Sequence, residues 1–137
     1  MVTTRHSIVL TILPEKLRDV CKLIEDEMPE FYHLTTITGL DEGNTIGLFY
    51  HFWKGREFLS IKTSIPKTNP DIDSLNEILP ASLLYEAEVK DLVGVNFKGN
   101  PLMNRKLVLP DNYPAEAPPP LRKEANPEKI RKLMELE

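Results

Sequence analysis

The sequence is poor in the residues that build most cofactor and metal sites. Its 137 residues include one cysteine, three histidines and six glycines, and no glutamine. A single cysteine excludes a disulfide framework, a cysteine-based zinc site and an iron–sulfur cluster held by this chain alone. The glycines form no phosphate-cradling loop, and Ser60, Ser64 and Ser82 lie in no context that activates a hydroxyl. We therefore expect no cofactor in this chain and no self-contained active site.

Long apolar runs and an excess of positive charge are also missing. No run approaches the roughly 20 apolar residues that span a bilayer. The N-terminus does not resemble a secretory signal, because Pro14 and a charged helix follow its short apolar stretch. The net charge of −4 argues against nucleic acid as a partner, since such binding depends on neutralising phosphates. The sequence predicts a cytosolic protein.

Composition predicts one folded domain followed by a tail. Apolar residues make up 41% of the chain and charged residues 28%, as is usual in globular proteins. Seven of the twelve prolines lie between Pro101 and Pro127. Proline is incompatible with a helix interior and with a central strand. We therefore divide the chain into an α+β domain, residues 1–97, and an extended proline-rich tail, residues 98–137.

Apolar periodicity predicts the elements of the domain. The predicted strands are residues 7–13, which read as buried, 31–38, 45–53 and 57–65, with a turn over residues 39–44. The predicted helices run from Pro14 to the residue before Pro29, over residues 71–79 and over residues 82–93. The order β-α-β-β-β-α-α favours a mainly antiparallel sheet with helices packed on one face.

Single reactive side chains have simpler explanations. Cys21 lies on the apolar stripe of the first helix, where we expect a small buried hydrophobe rather than a nucleophile. His33 and His51 are possible cross-strand neighbours, but no cysteine and no helical histidine pair completes a metal set. We interpret them as neutral surface or edge-strand histidines.

Three acids border the apolar stripe of the predicted helix at residues 82–93. Glu86 and Glu88 lie at its margins, and Asp91 stands one turn further along. Two interpretations are open: solvated edges, which the composition favours, or partners for basic groups on whatever packs there. The three side chains diverge, which argues against paired-carboxylate catalysis.

The tail carries apolar residues among its prolines. They are Leu102, Met103, Leu107, Val108, Leu109, Tyr113 and Leu121. Such a segment is suited to lie along a partner protein or to wrap back over its own domain, and the sequence favours neither. Residues 127–137 have the spacing of a short amphipathic helix, with Ile130, Leu133 and Met134 on its apolar side.

Residues 84–114, LYEAEVKDLVGVNFKGNPLMNRKLVLPDNYP, resemble a known C-terminal signature. It is that of the C-type (30 kDa-type) subunit of proton-pumping NADH–quinone oxidoreductase (complex I) and of the equivalent subunit of membrane-bound NiFe hydrogenases and formate hydrogenlyases. The matching positions are Glu86, Glu88 and Asp91, then residues 92–97, Gly99 and Pro101, Arg105 and Lys106, residues 107–111 and residues 120–123. Ala87 stands where the signature has arginine, and Asn100 where it has histidine. An extra residue precedes Arg105. These departures suit a hydrogenase-like branch better.

The resemblance implies an accessory, cofactor-free subunit in the hydrophilic arm of a complex I-like membrane-bound oxidoreductase. Such a subunit binds the large subunit that houses the quinone pocket or the NiFe site, and lies near the small iron–sulfur subunit. It sits peripherally on the cytoplasmic side of the cell membrane, which it reaches only through the complex. The residues that the resemblance assigns to partner binding are Glu86, Glu88, Asp91, Gly99, Arg105, Lys106, Leu107, Leu109, Asp111, Tyr113 and Arg122. In this view the acids pair with basic groups of the neighbour or of the tail, with Arg105 and Arg122 as candidates.

Two other functions are compatible with the compact domain. The first is a free-standing regulatory module that binds a small molecule. The second, a hydrolase using Glu86 or Asp91, has little support because no nucleophile or base accompanies these acids.

Overall fold

The computed structural model describes residues 6–29 and 33–135. The strands are β1 (His6–Thr11), β2 (Leu34–Asp41), β3 (Thr45–Lys54), β4 (Glu57–Pro66), β5 (Asp71–Asp73) and β6 (Asn96–Lys98). The α-helices are α1 (Leu17–Glu27), α2 (Ser82–Val93) and α3 (Pro127–Glu135). The first four strands form a sheet in the order β1–β4–β3–β2, and α1 and α2 contribute to the core on one of its faces. The predicted α+β class is confirmed.

The two central strands follow the predicted alternation. Ile46, Leu48, Tyr50 and Phe52 of β3 are all fully buried, and β4 presents Leu59, Ile61, Thr63 and Ile65 beside them. The register places Tyr50 opposite Ile61. The strands β2, β3 and β4 form an antiparallel meander, because short connections join them.

Strand β1 differs from the prediction of a buried strand. It pairs with β4 in parallel and lies at the edge of the sheet. Ile8 and Val9 are more than half exposed. The apolar run reads as a core strand, but its position at an edge leaves both of its faces only partly covered.

The helix α1 follows a 3-10 turn at Pro14–Lys16, which proline favours because it lacks a backbone donor. Leu17, Cys21 and Ile24 are its buried residues. Burial raises the pKa of the Cys21 thiol to about 12. The prediction that Cys21 is a buried hydrophobe and no nucleophile is confirmed.

The opposite face of the sheet carries polar and aromatic side chains. The His51 ring forms a hydrogen bond with Ser60 Oγ over 2.8 Å and stacks on Phe49. Burial lowers the pKa of His51, which agrees with a neutral edge histidine. Among the described residues, no group of three or more histidine, cysteine, aspartate or glutamate side chains could hold a metal ion.

The helix predicted at residues 71–79 is wrong. Residues 71–73 form β5, which pairs in parallel with β6 and sets Ile72 beside Phe97, both buried. The apolar spacing is helical, but Pro70 and Pro80 bound a segment too short to hold a helix by itself. Burial of the Ile72–Phe97 pair outweighs the local periodicity.

The strand predicted at residues 31–38 is displaced. Residues 31 and 32 lie outside the described part, and β2 continues to Asp41. The predicted turn shortens because Gly39 is needed in the sheet: a Cβ there would lie 2.9 Å from Val89 Cγ1 of α2. The chain turns instead around Gly43, at φ +104°.

The tail packs back on its own domain. The backbone N–H of Leu121 donates to Leu92 O at 2.8 Å. The predicted domain boundary falls inside β6, and the tail contains a 3-10 turn at Pro101–Asn104 and α3, with residues 136 and 137 outside the described part. Ile130 is the buried residue of α3. None of the helices described is long and apolar enough to cross a membrane.

Candidate functional site

The helix α2 holds the predicted acids, and the structure gives them different surroundings. Glu86 and Asp91 are buried, whereas Glu88 is exposed. The interpretation of solvated edges is therefore wrong for Glu86 and Asp91. A helical wheel does not show that the chain after β6 covers the outer side of α2.

Glu86 joins α2 to two segments of the domain. Its Oε1 accepts hydrogen bonds from Ser74 Oγ at 2.5 Å and from Asn100 Nδ2 at 3.1 Å. Its Oε2 accepts the backbone N–H of Leu75 at 3.0 Å. The carboxylate thus fixes the chain just after β5 and just after β6, which explains why residues 74 and 75 do not become helical.

The electrostatics of Glu86 follow from its burial. Loss of hydration raises the pKa of Glu86, and the donors from Ser74, Leu75 and Asn100 oppose this effect. Burial also raises the pKa of the fully buried Tyr50, and the Glu86 charge adds to the rise. The pair forms no catalytic set, because solvent has no access to either side chain.

Asp91 fixes the tail to α2. Its Oδ2 accepts the backbone N–H groups of Leu107, Val108 and Leu109 at 2.6, 2.8 and 3.4 Å. Its Oδ1 lies 3.3 Å from Lys90 Nζ. Burial acts to raise the pKa of Asp91, but the backbone donors and Lys90 outweigh it and lower the pKa.

Arg122 closes the other end of this contact. Its Nε donates to Val93 O at 2.7 Å and its Nη2 to Gly94 O at 3.3 Å, so the cation lies at the negative end of the α2 dipole. Gly94 is left-handed at φ +83°, and a Cβ there would lie 2.7 Å from Pro119 Cγ. The expected pairing of the α2 acids with Arg105 or Arg122 does not occur. Asp91 accepts backbone N–H groups instead, and Arg122 donates to backbone carbonyls.

Asp41 is a second attachment point that the sequence patterns do not reveal. It accepts the backbone N–H of Lys123 at 2.9 Å, that of Gly43 at 2.9 Å and Lys67 Nζ at 2.6 Å. These donors, with Lys123 first, hold the pKa of Asp41 well below its usual range. Lys67 also reaches Glu124 at 2.7 Å. The Asp-Glu-Gly run signals a local turn, but nothing local signals a partner 82 residues away.

The remaining predicted residues lie along the tail. Lys106 Nζ donates to the backbone oxygens of Asp111 and Tyr113 at 2.9 and 3.3 Å, which folds this part into a loop. Lys90 Nζ donates to Arg105 O at 3.1 Å. Gly99 is exposed at φ +93°. Their assignment to partner binding stays a prediction.

A cavity of about 380 Å³ separates the end of α2 from the tail. Lys90, Asp91 and Lys106 are the charged residues of its lining. All three already bind tail backbone groups, so the cavity holds no free, convergent polar set of the kind that orients a small molecule.

Comparison with known proteins agrees with the resemblance in the signature. The family described as respiratory-chain NADH dehydrogenase, 30 kDa subunit, matches residues 10–131. The C-type subunit of an NADH-quinone oxidoreductase from Roseiflexus castenholzii is 27% identical over 88% of this chain and 70% of its own length. A membrane-bound hydrogenase subunit beta from Pyrococcus furiosus is 33% identical over 80% of this chain and 65% of its own length. The chain thus spans about two-thirds of these curated relatives.

A solved structure supports the same relationship. One chain of the membrane-bound sulfane sulfur reductase, an archaeal respiratory membrane complex, superposes with a TM-score of 0.81. It is 26% identical, and the match covers 96% of the present chain and 79% of that one. The shared fold therefore includes the tail as well as the sheet.

Proposed function

The chain belongs to the family of the 30 kDa subunit of respiratory-chain NADH dehydrogenase, and we propose that it is an accessory docking subunit of a complex I-like oxidoreductase. It binds the large subunit that carries the quinone or NiFe site, close to the small iron–sulfur subunit, on the cytoplasmic side of the membrane. It holds no cofactor and contributes contact surface. Electron transfer and ion translocation belong to the other subunits.

A hydrogenase-type complex is favoured over an NADH-linked one. Ala87 and Asn100 replace the arginine and histidine of the NADH-linked signature. In the structure Asn100 is well suited to its position, because its amide donates to both Glu86 and Leu83 O. Identity is also higher to the Pyrococcus furiosus hydrogenase subunit than to the Roseiflexus castenholzii subunit, at 33% against 27%.

The observation that carries the proposal is the apolar outer surface of the tail. Leu107 and Val108 are 47% and 49% exposed, and Leu121 is 57% exposed. Asp91 fixes the backbone of the first two, and Leu92 O accepts the N–H of the third. An apolar surface held rigidly loses little conformational entropy on binding, as protein–protein interfaces require. Glu88 adds an exposed charge on the neighbouring helix.

The first prediction tests this surface. The double substitution Leu107→Ser with Val108→Ser keeps the backbone N–H groups that Asp91 accepts, and removes only the exposed apolar area. We expect the yield of other oxidoreductase subunits that co-purify with the chain from detergent-solubilised membranes to fall at least about tenfold, since a tenfold loss needs about 1.4 kcal/mol.

The control is Leu23→Ser on α1, an apolar residue that is 56% exposed. It should leave the yield unchanged. If the double variant assembles like the native chain, the tail surface is not the docking site. If the native chain itself purifies alone from the soluble fraction, the subunit function is wrong. Ligand-dependent thermal stabilisation of the isolated chain would then favour the small-molecule-binding module.

A further inference from the structure

The edge of the sheet at β1 has none of the usual protection against pairing with another strand. Residues 7–13, SIVLTIL, contain no charge and no proline. Ile8, Val9 and Leu10 are 57%, 56% and 43% exposed. Natural edge strands are normally interrupted by charges, prolines or bulges, because an open apolar edge recruits other strands.

The opposite edge, β2, shows the protection that β1 lacks. Its pairing with β3 is interrupted by a register shift between Leu34 and Thr36, and α2 packs against the strand at Gly39. Two edges of one sheet are therefore treated differently. The contrast indicates that the β1 edge is kept regular for a purpose.

The backbone of β1 offers a row of unused hydrogen-bonding groups. Ile12 N–H donates to Lys62 O at 2.9 Å, so every second residue back along the strand, Leu10 and Ile8, also points toward β4. The N–H and C=O groups of Val9 and Thr11 point the other way. Within the described part of the chain they have no backbone partner.

A groove of about 560 Å³ runs beside this edge. Ile8 and Leu10 line it together with Met28, which follows α1, and with Phe58 and Leu59 of β4. Its side chains are apolar except for Ser7 and Glu57. An added strand would therefore insert every second side chain into an apolar slot while its backbone pairs with β1.

We infer that β1 accepts, as a fifth strand, an extended apolar segment from another subunit of the complex. This inference rests on the proposed function and names the kind of partner segment that it needs. The segment carries apolar residues at alternate positions and Lys or Arg at its flank. Glu25, Asp26 and Glu27 directly precede Met28 at the groove, and none of them forms an ion pair within the described residues.

Charge also decides against a second copy of this chain as the occupant. Residues 1–97 carry 9 basic and 15 acidic side chains, a net charge of −6. Two copies meeting at β1 would bring two acidic domains together, whereas a segment flanked by basic residues is attracted.

The test removes one outward-pointing donor without touching the β1–β4 pairing. Val9→Pro deletes the N–H that faces the open edge, a position at which an edge strand tolerates proline. Val9→Thr is the matched control, because it keeps the N–H and the β-branched shape. We expect Val9→Pro to lower the yield of co-purified subunits at least about tenfold and Val9→Thr to stay within about twofold.

Amide exchange resolved to single residues supplies a second readout that needs no variant. In the isolated chain the Val9 and Thr11 amides should exchange quickly, and in the complex at least about tenfold more slowly. The Ile8 and Leu10 amides, which face β4, should be protected in both. This pattern supports the inference even if Val9→Pro fails to fold.

Three results would overturn the inference. One is that the native chain assembles while Val9→Pro, folded by circular dichroism, assembles equally well; the proposed function then stands alone. Another is that the Val9 and Thr11 amides remain unprotected in the complex. The third is that the isolated native chain sediments as a dimer and Val9→Pro as a monomer, which would assign the edge to a second copy. A native chain that recovers no other subunit overturns both proposals.

Discussion

Asp91 and Glu88 lie three residues apart on one helix and show how position decides the role of a carboxylate. The Asp91 side chain is fully buried and accepts three backbone N–H groups of the tail through one oxygen. Glu88 is exposed and forms no hydrogen bond or ion pair in the part of the chain that the structure describes. The first is therefore structural, and the second is available to a partner.

The residue-scale prediction compares the same chemical change at these two positions. Asp91→Asn removes the negative charge that the Leu107 and Val108 amides face, while the side chain keeps its shape. We expect a loss of about 1–3 kcal/mol in the free energy of unfolding, measured by urea denaturation, because hydrogen bonds to a charged group are the stronger kind. Glu88→Gln should change it by less than about 0.5 kcal/mol. Equal losses at both positions would contradict the assignment.

Single residues were predictable where their role is local. Cys21 could be assigned from its place on the α1 stripe, and burial confirms the assignment. The burial of Glu86 and Asp91 depends on segments that approach from elsewhere in the chain, as does the contact between Asp41 and Lys123. Helical periodicity carries no information about such segments, so these roles could not be predicted.

Elements divide in the same way. The helix α2 runs from Ser82 to Val93 as predicted, because Gly94 ends it with a left-handed residue after an unbroken apolar stripe. Residues 71–79 have similar spacing and form no helix. The difference is tertiary: Ile72 gains a strand neighbour in Phe97, and Glu86 accepts the Leu75 N–H that a helix would have used.

The element-scale prediction concerns the end of α2. Gly94→Ala should destabilise the chain twice over, once through its φ of +83° and once through the contact with Pro119 and Arg122. Gly99, at φ +93°, has open space where a Cβ would lie, so Gly99→Ala reports the conformational cost alone, about 1–2 kcal/mol. Thermal or urea denaturation should show Gly94→Ala to be worse by about 1–3 kcal/mol, the usual cost of overpacking. Similar losses would mean that the tail does not press on Gly94.

At the scale of the molecule, the architecture was predictable and the long-range placements were not. Alternating strands and amphipathic helices were sufficient to indicate a sheet with helices on one face. The pairing of β1 with β4 and the return of the tail over α2 join segments far apart in sequence. The two interpretations of the tail prove compatible, because one side of it packs on the domain while Leu107, Val108 and Leu121 face outward.

The tail is held to the domain mainly by carboxylates, which predicts how the whole molecule responds to acid. The pKa values of Asp41, Asp91 and Glu124 are lowered in the folded state by backbone donors and by Lys67 and Lys90. A lowered folded-state pKa contributes stability above the unfolded value, about 3.9 for aspartate, and that stability is lost as the pH falls through the folded value. Glu86 acts in the opposite sense, because burial raises its pKa.

We therefore expect the free energy of unfolding to fall steeply from about pH 4 to pH 2, as three lowered groups outweigh Glu86. Urea denaturation across this range should show the loss, and amide exchange at Leu107 and Lys123 should accelerate as the tail detaches. The double variant Asp41→Asn with Asp91→Asn should be less stable at pH 7 and less dependent on pH, because both lowered groups are gone. Glu88→Gln with Asp111→Asn, two exposed acids, should retain the native slope. A native slope in the first variant would show that the tail is held by apolar packing, and that its carboxylates only follow.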